Sequence, residues 1–348
     1  MRVAVLLGGS SSEREVSLAS GVQVARALRE AGHEVACVDT ASGPLDPAAE
    51  ASIAERGVGS APPEAGDAAP LGVASLAKLL ALPQIAGADV VFPVLHGGAG
   101  EDGTLQAVLE LSGLRFTGSG HLGCAVAMDK DLSKRLLRDA GVPTPEWILL
   151  VDPAGSGAPP HGRTPEPPVI VKPNREGSTV GLTLVRDPAG MSEALALAAR
   201  HDREVLVERY VPGREVTVAV VADEALPVGE IVPEHEIFDY ECKYQPGMAR
   251  ETFPADLPEA VARRIREAAL TAHRALKLSG FSRVDFILDA DGTPWCLEAN
   301  ALPGMTATSL VPKAGAAAGL GFPELCDRIL RVAGPAGTGR PEPGLSTR

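Results

Sequence analysis

The chain has 348 residues, enough for two or three domains, and a net charge of -13 from 45 acidic and 32 basic residues. That balance, with no block of lysine or arginine, argues against a nucleic-acid partner and requires any anionic substrate to meet local positive charge. Five cysteines without C-x-x-C spacing do not suit a closed disulfide framework, and no window reaches about 18 apolar residues, so the expectation is a cytoplasmic protein with reduced thiols and no membrane partner.

Residues 2-7 (RVAVLL) read as a strand buried on both faces, the loop GGSSSEREVS follows, and apolar periodicity predicts a helix from about Val16 to Ala31 before a second strand at 33-39. This β-loop-α-β unit belongs to a parallel sheet. The full G-x-G-x-x-G spacing is absent, and Glu13 at the helix start would repel a pyrophosphate. Its carboxylate suits a substrate ammonium, or merely complements the helix dipole. Residues 41-70, rich in Pro, Ala and Gly, read as an irregular excursion with at most one short helix. A strand at 89-95 runs into LHGGAGEDGTLQ, where a helix continues to about Ser112. His96 sits at the carboxyl end of that strand, where ligands of open α/β sheets bind, although a lone histidine there is as often structural.

A single helix from Ala125 to Ala140 leads to a strand at 146-150 and a Pro/Gly/Ser-rich insertion at 153-168. Strands at 168-172, 180-185 and 204-208 follow, with a helix at 188-200. Lys172 leaves the end of its strand, and the backbone amides around Glu176-Gly177-Ser178-Thr179 form either an anion-binding concavity or an ordinary hairpin. Glu208 and Glu215 lie near strand ends, as groups that bind adenine or ribose hydroxyls or as a solvated edge. After strands at 215-221 and 226-231, a long polar loop at 232-253 carries Lys243 and Tyr244; its length reads as a lid. A helix at 256-278 precedes the last motif, and residues 335-348 read as a disordered tail.

That motif, FSRVDFILDADGTPWCLEANALPG, alternates with period two around an Asp-Gly turn and predicts a hairpin. If Leu288 pairs with Thr293, Arg283 lies opposite Glu298 and Asp285 opposite Cys296, while Val284, Phe286, Leu288, Trp295 and Leu297 face a core. Asp285, Glu298 and Asn300 are hard oxygen donors suited to Mg²⁺, with Arg283 beside them for an oxyanion or phosphate. A cross-strand Arg283-Glu298 ion pair on a solvated face is the plainer reading, but it leaves Asp285 and Asn300 unexplained.

Taken in order, LLGGSSSEREVSLASG, LHGGAGEDGTLQ, TGSG with AMDK, VIVKPNREGSTVG, FDYECKY, and SRVDF with LEANALPGMTATSLVP resemble the D-alanine:D-alanine ligases of the ATP-grasp superfamily over residues 3 to about 325. The resemblance implies an α/β (α+β) fold: a Rossmann-like N-terminal domain at 1-120, and central (121-214) and C-terminal (215-334) domains that enclose ATP. It implies that a D-alanine carboxylate is phosphorylated by ATP and that the amine of a second D-alanine displaces phosphate. By the same resemblance Asp285, Glu298 and Asn300 match Mg²⁺ ligands (Mn²⁺ also serving, two ions per site), and Lys130, Lys172 and Lys243 match phosphate contacts. Glu176 and Ser178 match the loop over the nucleotide, and Glu208, Arg209, Tyr210, Val211 and Glu215 match adenine and ribose contacts. Glu13 and His96 match the first D-alanine site, Arg283 and Gly304 the oxyanion pair, and Ser309 and Leu310 the second carboxylate site. Ser178 and Tyr244 match residues that latch the lid to Glu13, and a homodimer is implied. The sequence departs from many relatives in GST where two serines are common, and in LEANAL, which lacks the commoner threonine. A ligase of the same family that forms an ester with D-lactate or joins another D-amino acid in the second position, a nucleotide-dependent oxidoreductase and a non-catalytic relative are the rival readings. The second lacks the glycine fingerprint and leaves the hairpin without a role.

Overall fold

A computed structural model describes residues 1-11, 13-59, 72-153, 165-238, 240-245 and 247-334. Its described residues form three sheets. In the first, the strand Arg2-Leu7 pairs in parallel with Glu34-Asp39 on one side and Val90-Pro93 on the other, and Gly43-Pro44 extends the edge. Both faces are covered, which is why the run is continuously apolar. Val3, Val5 and Leu7 pack with the helix Arg14-Glu30 and with Leu325, Ile329 and Leu330 of the helix Phe322-Arg331, while Ala4 and Leu6 pack with Ile85, Leu105 and Leu109. The C-terminal helices Leu310-Ala317 and Phe322-Arg331, absent from the sequence reading, thus belong to the core of the N-terminal sheet.

The second sheet is antiparallel, in the order Trp147-Val151, Glu204-Arg209, Val169-Pro173, Thr183-Val185. Val169, Val171, Val205 and Val207 bury against the helix Met191-Ala198. The alternate residues are left on the opposite face. The third sheet runs Ala249-Thr252, Gly229-Pro233, Arg214-Val221, Phe281-Leu288, Pro294-Asn300, with Glu224-Ala225 paired to the middle strand. Its core face packs Val216, Val218, Val220, Val284 and Phe286 on Ile265, Ala269 and Ala272 of the helix Glu259-Ala275. Phe286 is fully enclosed, so truncation to alanine should cost about 3-5 kcal/mol. Cys124, Ala127, Leu137 and Val142 join this same core.

Several expectations need correction. The predicted helix at 125-140 is two helices, His121-Met128 and Lys130-Asp139, broken where Asp129 turns extended and caps the second by accepting from the Leu132 amide. The strand expected at 180-185 is only Thr183-Val185, because the preceding residues form a loop in which Ser178 and Thr179 have positive φ. The polar loop at 232-253 contains the helix Tyr240-Tyr244 and the strand Ala249-Thr252. The hairpin forms, but in another register: Arg283 faces Asn300, Asp285 faces Glu298 and Phe286 faces Cys296, with a bulge that makes Leu297 the extra residue. Cys296 therefore enters the core, while Trp295 and Leu297 leave it. Within the excursion at 41-70 a helix spans Pro47-Arg56; residues 60-71, most of the insertion and the tail lie outside the described residues. No helix among the described residues is long and apolar enough to cross a membrane.

Candidate active site

Between the second and third sheets lies a cavity of about 410 Å³. Its walls are the unpacked faces of both sheets, closed at one end by residues 176-180 and 236-238. Arg283, Asp285 and Ile287 reach it because they alternate with the buried Val284, Phe286 and Leu288. The bulge then brings Leu297 and Glu298 to the cavity together.

Asp285 organises this wall. Its carboxylate accepts from Thr217 Oγ1 at 2.7 Å, from Arg283 Nε and Nη2 at 2.9 Å each, and from Asn300 Nδ2 at 3.0 Å. Glu298 receives Lys130 Nζ at 3.3 Å. Burial would raise its pKa, but Lys130, Lys243, Lys172 and Arg283 together hold it at about 2, so it is ionised at every working pH. Glu215 is the opposite case: burial first, then Asp285, push it up to about 7. Asp285, Glu298 and Asn300 stand together, but no group of three or more His, Cys, Asp or Glu side chains able to hold a metal occurs among the described residues. Two carboxylates and one amide nevertheless fit a Mg²⁺ that takes its other oxygens from water and phosphate.

The opposite wall carries the cations. Lys130, first residue of its helix, donates to Glu176 O at 2.6 Å and so ties down the 176-179 loop. Lys172, at the end of its strand, donates to Glu208 Oε1 at 3.3 Å. Glu208 is enclosed, and Lys134 Nζ lies 2.6 Å from its other oxygen. The two lysines hold Glu208 below the usual carboxylate range against the effect of burial. Arg209 stacks on Trp295 at 4.7 Å from the ring centroid, while Tyr210 and Val211 continue along the cavity. Lys243 lines it too, its ammonium 5.6 Å from the centroid of Phe238, and Thr179 Oγ1 donates to Phe238 O at 2.9 Å. The two closing segments therefore touch each other.

Glu13 comes from the N-terminal domain, on the residue that caps its first long helix. Ser178 Oγ donates to Glu13 Oε1, and a Cβ on Gly177 would lie 3.2 Å from Glu13 Oε2, a tight contact that glycine avoids. His96 is buried; its Nδ1 bonds Leu302 O at 2.9 Å, while Nε2 has no partner. Gly304 and Ser309 lie together, since a Cβ on Gly304 would stand 3.0 Å from Ser309 Oγ, and Leu310 lines the cavity. Tyr244 ends the helix Tyr240-Tyr244; the latch expected of its hydroxyl lies outside what the structure describes.

Three participants were missed in the sequence. Thr217 alternates into the site two residues after Glu215, a signal available from period two. Glu101, whose carboxylate accepts from the Gly97 amide at 3.0 Å, is pushed up to about 7 by burial and then by Glu13. Lys134 follows Lys130 by one helical turn, yet a lysine with no exposure is not what a surface-helix pattern suggests.

A family model described as D-ala D-ala ligase N-terminus matches residues 2-119, and one described as D-ala D-ala ligase C-terminus matches residues 136-331. A D-alanine–D-alanine ligase of an Anaeromyxobacter species is 44% identical over 329 residues, covering 94% of this chain and 96% of its own length. One from a Synechococcus species is 40% identical, covering 96% of this chain and 94% of its own. Among solved structures, the VanG D-Ala:D-Ser ligase of Enterococcus faecalis superposes with a TM-score of 0.74 at 30% identity, covering 95% of this chain and 99% of that one. The Bacillus anthracis D-alanine–D-alanine ligase complexed with ATP gives 0.73 at 29% identity, covering 96% and 97%. With both halves of the chain matched and the two-sheet cavity in place, the chain belongs to the D-alanine–D-alanine ligase family, ATP-dependent ligases of the ATP-grasp fold.

Proposed function

We propose that the protein joins two D-alanine molecules into D-alanyl-D-alanine for peptidoglycan precursor synthesis, with ATP converted to ADP and phosphate through a D-alanyl phosphate. The observation that carries the reading is the convergence on one cavity of Lys130, Lys172, Lys243, Arg283, Asp285 and Glu298, with Glu13 joined to its closing loop by Ser178. An unactivated carboxylate resists amine attack, so a phosphoryl leaving group is required. Lys130, Lys172 and Lys243 supply local positive charge for triphosphate in a chain whose overall charge is negative. Tyr210, Val211 and Glu215 line the base and ribose end. Glu13 takes the ammonium of the first D-alanine, with His96 beside it, and Ser309 and the Leu310 amide receive the carboxylate of the second.

Arg283 is fixed by Asp285 on a rigid strand and stabilises the oxyanion of the tetrahedral adduct with the Gly304 amide. Contact of the 176-179 loop with Phe238 through Thr179 keeps water from the acyl phosphate. Asp285, Glu298 and Asn300 would hold Mg²⁺ or Mn²⁺, two ions per site, which when bound neutralises charge on the transferring phosphoryl group. We place the enzyme in the cytoplasm, as a homodimer, on the family resemblance alone.

The test is ADP, phosphate and dipeptide formation over a panel of D-alanine, D-serine and D-lactate as acceptors. D-Alanine should support stoichiometric dipeptide and phosphate and exceed both others. The similarity to a D-Ala:D-Ser ligase makes D-serine the informative competitor. Preference for D-lactate, or phosphate release that does not need D-alanine, would overturn the reading.

A further inference from the structure

The helix Lys130-Asp139 is packed inside out. Lys130, Ser133, Lys134 and Leu137 form its buried stripe at i, i+3, i+4, i+7, whereas Leu132 and Leu136 are 48% and 39% exposed. Hydrophobic burial alone would turn the leucines in and the lysines out. An enclosed ammonium is strongly penalised unless it is paired, and apolar replacements of buried pairs are often as stable. The reason for this orientation must therefore lie in what Lys134 holds.

Lys134 has no exposed surface and takes no part in the cavity wall, but it contacts what does. Its Nζ donates to Thr144 Oγ1 at 2.6 Å and to Pro145 O at 3.3 Å, pairs with Glu208 Oε2 at 2.6 Å, and lies 5.2 Å from the centroid of Trp147. Thr144 in turn donates to Cys296 O at 2.9 Å, on the strand that carries Glu298. One ammonium thus links its own helix, the second sheet at Glu208 and, through Thr144, the third sheet. Glu208 does line the cavity. Lys172 and Lys134 each take one oxygen of this carboxylate, which is 2% exposed and has about four lone-pair sites, so acceptor capacity remains beyond those two contacts. That residual acceptor suits an N-H or O-H donor of a bound nucleotide.

We infer that Lys134 is a positioning residue for the nucleotide: from behind the cavity wall it holds the Glu208 carboxylate aimed as an acceptor, and thereby favours a base that offers an exocyclic amine over one that offers a carbonyl. The inference rests on the nucleotide-binding reading of this cavity. Lys172 shares the other oxygen of Glu208, so without Lys134 the carboxylate swings onto Lys172 and both lose their placement.

A double-mutant cycle tests it with Lys134→Met, which preserves length without charge, and Glu208→Gln. Wild-type ATP-dependent dipeptide synthesis first secures the underlying reading, independently of the cycle. In the Glu208 background, Lys134→Met should raise the KM for ATP about tenfold, leave the KM for D-alanine within about twofold, and narrow the preference for ATP over GTP. In the Glu208→Gln background the same substitution should change the KM for ATP by less than about twofold. Lys134→Arg, which keeps the charge, should recover part of the ATP affinity. If Lys134→Met does not accumulate as folded protein, Thr144→Val, which removes one of the lysine's acceptors, should raise the KM for ATP selectively as well. Equal effects of Lys134→Met in both backgrounds, or loss of thermal stability with unaltered KM for ATP and unaltered ATP/GTP preference, would overturn the inference.

Discussion

The hairpin wall and the lysine cluster behind the opposite wall carry charge in contrasting ways. On the hairpin, Arg283, Asp285 and Glu298 come from two adjacent strands and reach the cavity, by alternation on the first strand and past a bulge on the second, with a core of Val284 and Phe286 directly beneath. In the cluster, Lys134, Glu208 and Lys172 come from a helix and two strands, and all three are enclosed. The hairpin can lose a charge and keep its packing, because packing and chemistry occupy opposite faces. The cluster cannot separate them, since each ion is the counter-charge of the next.

The most severe way to break that contrast is Asp285→Asn. The change keeps the shape of the side chain but removes the negative charge that faces Arg283 and the metal position, and kcat should fall by at least about 10²-fold. Circular dichroism should stay close to wild type, while the thermal midpoint should fall, because the partly buried Arg283 loses its counter-charge. Turnover within a few-fold of normal would remove Asp285 from the chemistry. Glu13→Gln should act less broadly: the KM for the first D-alanine should rise about tenfold while the KM for ATP holds, because Glu13 meets the closing loop at Ser178 from the N-terminal domain and takes no part in the wall formed by the lysines. A rise in both constants would mean that its bond to Ser178 serves only to keep the loop closed.

A smaller effect follows from Glu101. Its carboxyl is pushed up to about 7 from the ordinary 4.5 by burial and by Glu13, so between those values the folded protein holds a proton that the unfolded chain releases. The folded state binds more protons in that window, and stability from this group therefore falls as pH rises from 4.5 through about 7 and is flat above. In ligand-free protein, Glu101→Gln should remove that decline, and its thermal midpoint should gain on wild type between pH 5 and pH 8. A constant offset at every pH would show that Glu101 does not titrate in this range.

The same contrast explains what could be read from the chain. Period two was enough to bring Arg283, Asp285, Glu298 and Asn300 to one face, because alternation is a local property of strands. It failed at Leu297, since a bulge adds one residue without any compositional mark, and the expected pairing of Arg283 with Glu298 became Arg283 with Asn300. Family order in the motifs pointed to the ATP-grasp fold, but it carried no sign that the helices Leu310-Ala317 and Phe322-Arg331 would close the core of the N-terminal sheet. Lys134 was illegible for a deeper reason. Its environment is assembled from Thr144, Pro145 and Glu208, and no local pattern announces that a lysine will turn inward while Leu132 and Leu136 face water.

The central claim is that the carboxylate of one D-alanine is phosphorylated before the second amine attacks. Turnover of D-alanine labelled with ¹⁸O in its carboxylate, followed by mass analysis of the released phosphate, tests this directly. In the acyl phosphate route the oxygen bonded to phosphorus leaves with it when the amine displaces phosphate at the carbonyl carbon. The account predicts one ¹⁸O atom in each phosphate released from the fully labelled substrate, with ADP as the other nucleotide product. Unlabelled phosphate accompanying dipeptide formation, or AMP and pyrophosphate in place of ADP and phosphate, would contradict it.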